Sequence, residues 1–172
     1  MITIALIRKP GRLDSGVGRY TAELAQSLKK AGINVVEVIP FVPIPKEIAR
    51  IIYWLLRWDV EAIFINYPIW IRYPEAEIYH LTSQNLATLM IFNKPPGRTL
   101  LTVHDLINLD FRSGNKRSAS KKIANHIFEQ LVLVGIRKVD WVIMDSYFSN
   151  LVLQTYISLG SKNAIHKPSS VD

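Results

Sequence analysis

The chain has 172 residues with a formal net charge of +7, and it contains no cysteine. This length fits a single domain, and the lack of cysteine excludes disulfides, thiolate metal sites and cysteine nucleophiles. The positive charge attracts polyanions in general, whether nucleic acid, anionic lipid or a phosphorylated substrate, and selects none of them.

Predicted strands and helices alternate along the whole chain. Runs dense in apolar and β-branched residues predict the strands ITIALI, INVVEVI, VEAIFIN, IYHL, TLLTVHDL, WVIMDS and NAIHK. Helical spacing and capping residues predict the helices 19–31, 45–58, 84–92, 119–138 and 146–159. Short loops between such elements imply a doubly wound, mainly parallel, Rossmann-like sheet in a three-layer α/β/α domain.

The segment DSGVGR lies between the first predicted strand and the first predicted helix. Gly16 and Gly18 let backbone N–H groups approach a ligand, and the start of the helix favours negative charge. Gly16, Gly18 and Arg19 are therefore candidate contacts for a phosphate or a sugar hydroxyl. A flexible loop that ends in a helix cap explains the segment equally well, and neither a dinucleotide fingerprint nor a P-loop is present.

His104 and Asp105 stand at the end of the strand TLLTVHDL. Ligands of parallel sheets bind beyond the carboxyl ends of the strands. An imidazole at that edge exchanges hydrogen bonds with a substrate hydroxyl near neutral pH, and a neighbouring carboxylate orients groups in the cleft. A histidine that only packs or caps is the alternative interpretation. The position beside an acid at this edge favours a catalytic role for His104, with Asp105 as a substrate contact.

Two further polar groups follow predicted strands. The run YHLTSQN is a cluster of polar side chains at the end of a strand, and Gln84 and Asn85 in it are candidate substrate contacts. Capping of the next helix by Thr82 or Ser83 explains part of this run at least as well. Ser146 is first a helix cap and second a ligand contact. No Asp-x-Asp pair, no histidine pair at helical spacing and no cysteine supports a metal site, and no Gly-x-Ser-x-Gly elbow supports a serine hydrolase.

The segment KEIARIIYWLLRW combines an apolar stripe with basic residues and tryptophan. Such a mixture suits a membrane interface. Packing as an ordinary helix of the sheet explains the same stripe, and the two interpretations are compatible if one side packs while the other touches lipid headgroups.

Four segments, in their order and spacing, resemble the N-terminal domain of the family 4 retaining glycosyltransferases: SGVGRYTAELAQSLKKAGINVVEV, YHLTSQNLATLM, TLLTVHDLINLDF and KVDWVIMDSYFSNLVLQTY. The resemblance covers nearly the whole chain. It implies a GT-B enzyme with two Rossmann-like domains that moves a hexose from a nucleotide diphosphate sugar to an acceptor, with retention and without a metal ion or other cofactor. It places Gly16 and Gly18 in the interdomain cleft and His104 against the transferred sugar, and it matches Asp105 and Ser146 to family positions.

The resemblance also implies a division of labour between two domains. Residues 1–172 correspond to the acceptor-side domain, the ending IHKPSSVD looks like the family's interdomain linker, and the donor domain's paired glutamates eight positions apart are absent. We therefore expect a cytoplasmic chain that is inactive without its C-terminal donor domain. If its acceptor is lipid-linked, we expect the chain to lie at the inner face of the membrane.

The expected partners are a nucleotide sugar, an acceptor saccharide or lipid-linked acceptor, and no nucleic acid. Two alternatives stay open: a separate subunit that pairs with a donor domain, and a non-catalytic sugar- or lipid-binding module.

Overall fold

The computed structural model of the chain describes residues 2–10, 15–57, 59–104, 119–144 and 164–166. The described strands are β1 (Thr3–Ile7), β2 (Asn34–Val38), β3 (Ile78–Leu81), β4 (Arg98–Val103), β5 (Trp141–Met144) and β6 (Ala164–His166). The described helices are α1 (Gly16–Lys30), α2 (Lys46–Leu56), α3 (Val60–Asn66), a 3-10 helix (Gln84–Thr88), α4 (Leu89–Phe92) and α5 (Ala119–Ile136). The strands form one sheet in the order β2-β1-β3-β4-β5-β6, and every neighbouring pair is parallel.

Both faces of the sheet carry a hydrophobic layer, because successive side chains of a strand point to opposite faces. On one face, Ile4 and Leu6 of β1 pack with Ala25 of α1. On the other face, Ala5 and Ile7 join a larger cluster that includes side chains of β3, β4, β5, the 3-10 helix, α4 and α5. This arrangement confirms the predicted doubly wound, Rossmann-like α/β fold.

The segment VEAIFIN is the helix α3, and its prediction as a strand is wrong. The carboxylate of Asp59 caps this helix by accepting a hydrogen bond from the backbone N–H of Ala62 at 2.9 Å. Val60 is buried, and Ile63 and Phe64 are half-buried, which is the spacing of one helix face. The place beside β1 belongs to β3 instead, so the chain crosses from β2 to β3 through two helices.

Helix α1 begins at Gly16, three residues before the predicted start at Arg19. Ser15 explains the earlier start, because its Oγ accepts from the N–H of Gly18 at 3.1 Å and its carbonyl accepts the first helical bond from Arg19 at 2.8 Å. Gly16 and Gly18 therefore lie in the first turn of the helix and not in the preceding loop. Gly32, with a φ of 77°, ends the helix as predicted.

The predicted helix 84–92 consists of the 3-10 helix followed by α4. Gly135 of α5 lies directly against this 3-10 helix, since a Cβ added at Gly135 would overlap the carbonyl oxygen of Ala87. The predicted helix 146–159, together with Asp105 and Ser146, lies outside the described residues. Among the described helices, none is both long and apolar enough to cross a membrane.

Candidate ligand-binding site at the carboxyl edge of the sheet

The carboxyl ends of β1, β3 and β4 lie side by side at one edge of the sheet. The order of the strands reverses here, because the chain moves outward from β1 to β2 and then returns to β3 on the other side of β1. Ligands of open α/β sheets bind in the crevice at such a reversal. The residues that follow these three strands therefore define the candidate site.

His104 follows β4 at this edge, and two neighbours hold its ring. Its Nε2 lies 3.0 Å from the carbonyl oxygen of Thr82. Because a carbonyl oxygen only accepts, Nε2 carries the proton and donates it. The ring of Tyr20, from α1, packs edge to face against the imidazole with 4.6 Å between ring centroids. These contacts fix the tautomer and the orientation of a half-buried imidazole at the predicted position.

A short hydrogen-bonded chain lies next to His104. Nε2 of His80 is 2.8 Å from Oγ1 of Thr102, and the hydroxyl of Tyr20 is 3.0 Å from the same oxygen. Since the Thr102 hydroxyl has one proton, it donates to at most one of these neighbours and accepts from at least one of them. Burial, and secondly the charge of His104, lowers the pKa of His80 to about 4. His80 is therefore a neutral ring near neutral pH.

The end of β3 supplies two buried hydroxyls. The backbone N–H and Oγ1 of Thr82 both donate to the carbonyl oxygen of Ile7, each at 3.0 Å, which ties β3 to β1 at the reversal. Ser83 is 3% exposed, and its Oγ has no hydrogen-bond partner within the described residues. Neither side chain caps the 3-10 helix, so the capping interpretation of this run does not hold there. The Ser83 hydroxyl is an additional candidate for a ligand contact.

The other predicted contacts occupy the starts of two helices. Gln84 and Asn85 open the 3-10 helix and are half-buried. The N–H of Gly18 is donated to Ser15, so the capping interpretation of that segment describes at least this group. Arg19 is exposed, and a Cβ added at Gly16 would meet nothing within 4 Å. The space beside the Cα of Gly16 is therefore open.

Two cations also follow β1 at this edge. Nε of Arg8 lies 3.1 Å from Oε2 of Glu37 in an ion pair. Nζ of Lys9 donates to Oδ1 of Asn66 at 3.2 Å, and burial lowers the pKa of Lys9. Since Arg8 is engaged by a carboxylate, Lys9 is the stronger candidate for contact with an anionic ligand group.

Three residues around His104, namely Tyr20, His80 and Thr102, are not among the site residues predicted from the sequence. Tyr20 is predicted only as an apolar residue of α1, and Thr102 only as a residue of its strand. His80 belongs to the polar run YHLTSQN, in which only Gln84 and Asn85 are predicted as contacts. The spacing of Thr102 and His104 is the signal that points to Thr102, because residues two apart on a strand share a face. The identity of the neighbouring strand, and hence His80, follows only from the sheet order.

In the part of the chain that the structure describes, no three His, Asp or Glu side chains are grouped to hold a metal ion. No protein-family model matches the chain, and no curated protein matches it. Fold and site together define a Rossmann-like α/β domain with a candidate ligand site at the strand reversal.

Proposed function

We propose that this domain is the acceptor-side half of a retaining glycosyltransferase, which transfers a hexose from a nucleotide diphosphate sugar to an acceptor hydroxyl. The observation that carries the proposal is the oriented imidazole of His104 at the carboxyl end of β4, held by the carbonyl of Thr82 and the ring of Tyr20. A ring that is already oriented hydrogen-bonds a sugar hydroxyl with little further loss of freedom.

The character of the surrounding groups supports a carbohydrate ligand. Ser83, Gln84 and Asn85 are neutral side chains that both donate and accept hydrogen bonds, as sugar hydroxyls require. The pair of His80 and Thr102 next to His104 is uncharged near neutral pH. Asp105 and Ser146 remain proposed contacts through their positions after predicted strands and through the family resemblance.

In this proposal a second Rossmann-like domain, from the same polypeptide or from another subunit, holds most of the donor diphosphate. Transfer requires both halves, because the rate depends on positioning two reactants and on stabilising the leaving diphosphate. The domain alone is then expected to bind saccharide without turnover. No metal ion or cofactor takes part, and the acceptor is a saccharide, either soluble or lipid-linked.

The test follows the histidine ring signals by NMR while the chain is titrated with hexoses, disaccharides, UDP-glucose and GDP-mannose. We expect a saccharide to shift the ring signals of His104. His104→Ala should weaken saccharide binding at least about tenfold, which is the effect of losing one hydrogen bond and leaving its partner unsatisfied. The matched control is His126→Ala, which removes an exposed histidine of α5.

Hexose transfer is measured in parallel as release of nucleoside diphosphate. Three outcomes would contradict the proposal. The first is that no sugar changes the His104 signals, and the second is that His104→Ala binds saccharide as tightly as the unchanged chain. The third is hexose transfer by this domain alone. Binding at His104 without transfer in any larger assembly would favour the sugar-binding module instead.

A further inference from the structure

Helix α2 turns its apolar side toward the solvent. Ile48, Ile51 and Leu55 are 49%, 55% and 62% exposed and recur at the spacing of one helix face, and Trp54 beside them is 72% exposed. Among the described side chains of α2, Ala49 is the buried one. Packing against the sheet therefore does not account for this stripe.

The opposite side of α2 is cationic. Lys46, Arg50 and Arg57 are exposed, and within the described residues no ion pair joins them to a carboxylate. Glu47 is the acidic residue of this helix. Lys46 and Arg50 also border a crevice of about 390 Å³ between α2 and α3, and two acidic residues at the start of α3 are among the residues that line it.

The segment that leads into α2 extends the same character. Phe41 is 43% exposed, and the guanidinium of Arg72 lies 5.8 Å from the centroid of its ring. An aromatic ring paired with an arginine has an apolar body and a charged end, which is the combination that places side chains at the boundary between lipid headgroups and acyl chains.

We propose that α2 binds an anionic lipid bilayer, with its axis in the plane of the membrane. The stripe of Ile48, Ile51 and Leu55 enters the headgroup region together with Trp54, while the long side chains on the other side reach lipid phosphates. The net charge of +7 favours this occupant over a second copy of the chain, because two such chains repel each other and an anionic surface attracts both. The inference does not depend on the proposed sugar site.

The experiment measures sedimentation of the chain with vesicles of phosphatidylcholine alone and of phosphatidylcholine mixed with phosphatidylglycerol. We expect binding to the mixed vesicles that weakens with added salt, and little binding to the neutral vesicles. Ile51→Ser should weaken binding about tenfold through lost apolar burial. Arg50→Gln should weaken it about fivefold through lost attraction to lipid phosphate.

Ile127→Ser is the matched control, because Ile127 of α5 is 52% exposed and Ile51 is 55% exposed. It should bind vesicles as the unchanged chain does, and so should His104→Ala, which separates this inference from the sugar site. Circular dichroism confirms that each variant is folded.

Absence of binding to the mixed vesicles would overturn the proposal, as would equal losses for Ile51→Ser and Ile127→Ser. Dimerisation in sedimentation equilibrium that Ile51→Ser abolishes would assign the stripe to a second copy instead.

Discussion

The two edges of the sheet use polar side chains differently. At the amino edge, Oδ2 of Asp140 accepts from the backbone N–H and the hydroxyl of Thr99 at 2.7 and 2.8 Å, and Oε2 of Glu77 accepts from the N–H of Thr3 at 2.6 Å. At the carboxyl edge, an ion pair of Arg8 and Glu37 lies beside β1 and β2, but around β3 and β4 uncharged groups bond one another. There Thr102 links His80 to Tyr20, and Tyr20 packs on His104.

The difference separates stability from ligand binding within one sheet. Carboxylates at the amino edge satisfy backbone groups at the starts of strands, and such bonds have no reason to change when a ligand arrives. The carboxyl edge instead holds imidazoles and hydroxyls whose protons can be redirected, and Ser83 there has no partner among the described residues. Three predictions test whether this separation is real.

The largest expected effect is a loss of stability in acid that originates at the carboxyl edge. The pKa of His80 is lowered from its ordinary value of 6.5 to about 4. Between these values the unfolded chain binds a proton that the folded chain does not, so the free energy of unfolding falls as the pH drops, by about 3 kcal/mol in total. Above pH 6.5 this contribution is complete and constant.

Urea unfolding at a series of pH values measures this loss. His80→Gln should remove the part of the slope that belongs to His80, whereas His126→Gln should retain it, since His126 is exposed. If His80→Gln shows the same slope as the unchanged chain, then carboxylates cause the acid lability and the neutral network at the carboxyl edge has no special role.

The next effect compares two buried threonines of β4, one near each edge. Thr99 and Thr102 are 0% and 1% exposed. Thr102→Val should lower the free energy of unfolding by about 2 kcal/mol, because it leaves the buried ring of His80 without its hydrogen bond. Thr99→Val should lower it by about 1 kcal/mol, because its partner Asp140 is exposed and can bond to water instead. Thr102→Val should also shift the NMR ring signals of His104 through Tyr20, and Thr99→Val should not.

Thermal unfolding measures the loss of stability in the two variants, and histidine NMR measures the shift of the His104 signals. A shift of the His104 signals in Thr99→Val of the same size would mean that the two edges are coupled through β4. The carboxyl edge would then not be independent of the amino edge, and the proposed separation of stability from ligand binding would be wrong.

Most strands of this fold are predictable because buried parallel strands are short, dense apolar runs. The strand predicted over VEAIFIN is wrong because its composition is also that of a buried helix face, and the cap at Asp59 decides between them. The stripe on α2 is visible in the sequence, but periodicity alone does not tell which side of a helix meets the sheet.

The position of His104 at the carboxyl edge follows from one strand and one topological rule. Its partners do not follow from the sequence, because they belong to β3 and α1, and contact with them depends on the strand order and on the packing of α1. Residues far apart in sequence meet only through the fold, so a single sequence indicates His104 and leaves the residues that hold its ring unassigned.

The smallest expected effect concerns the two ends of α1, which lie at opposite edges of the sheet. A Cβ at Gly16 meets nothing within 4 Å, so Gly16→Ala should change the free energy of unfolding by less than about 1 kcal/mol. Gly32 has a φ of 77°, so Gly32→Ala should cost about 1 kcal/mol or more. If the first turn of α1 contacts the saccharide, Gly16→Ala weakens its binding and Gly32→Ala does not, as titration by NMR would show. Equal binding by both variants would reduce the first turn to a capped helix start and leave the ligand to His104 and the end of β3.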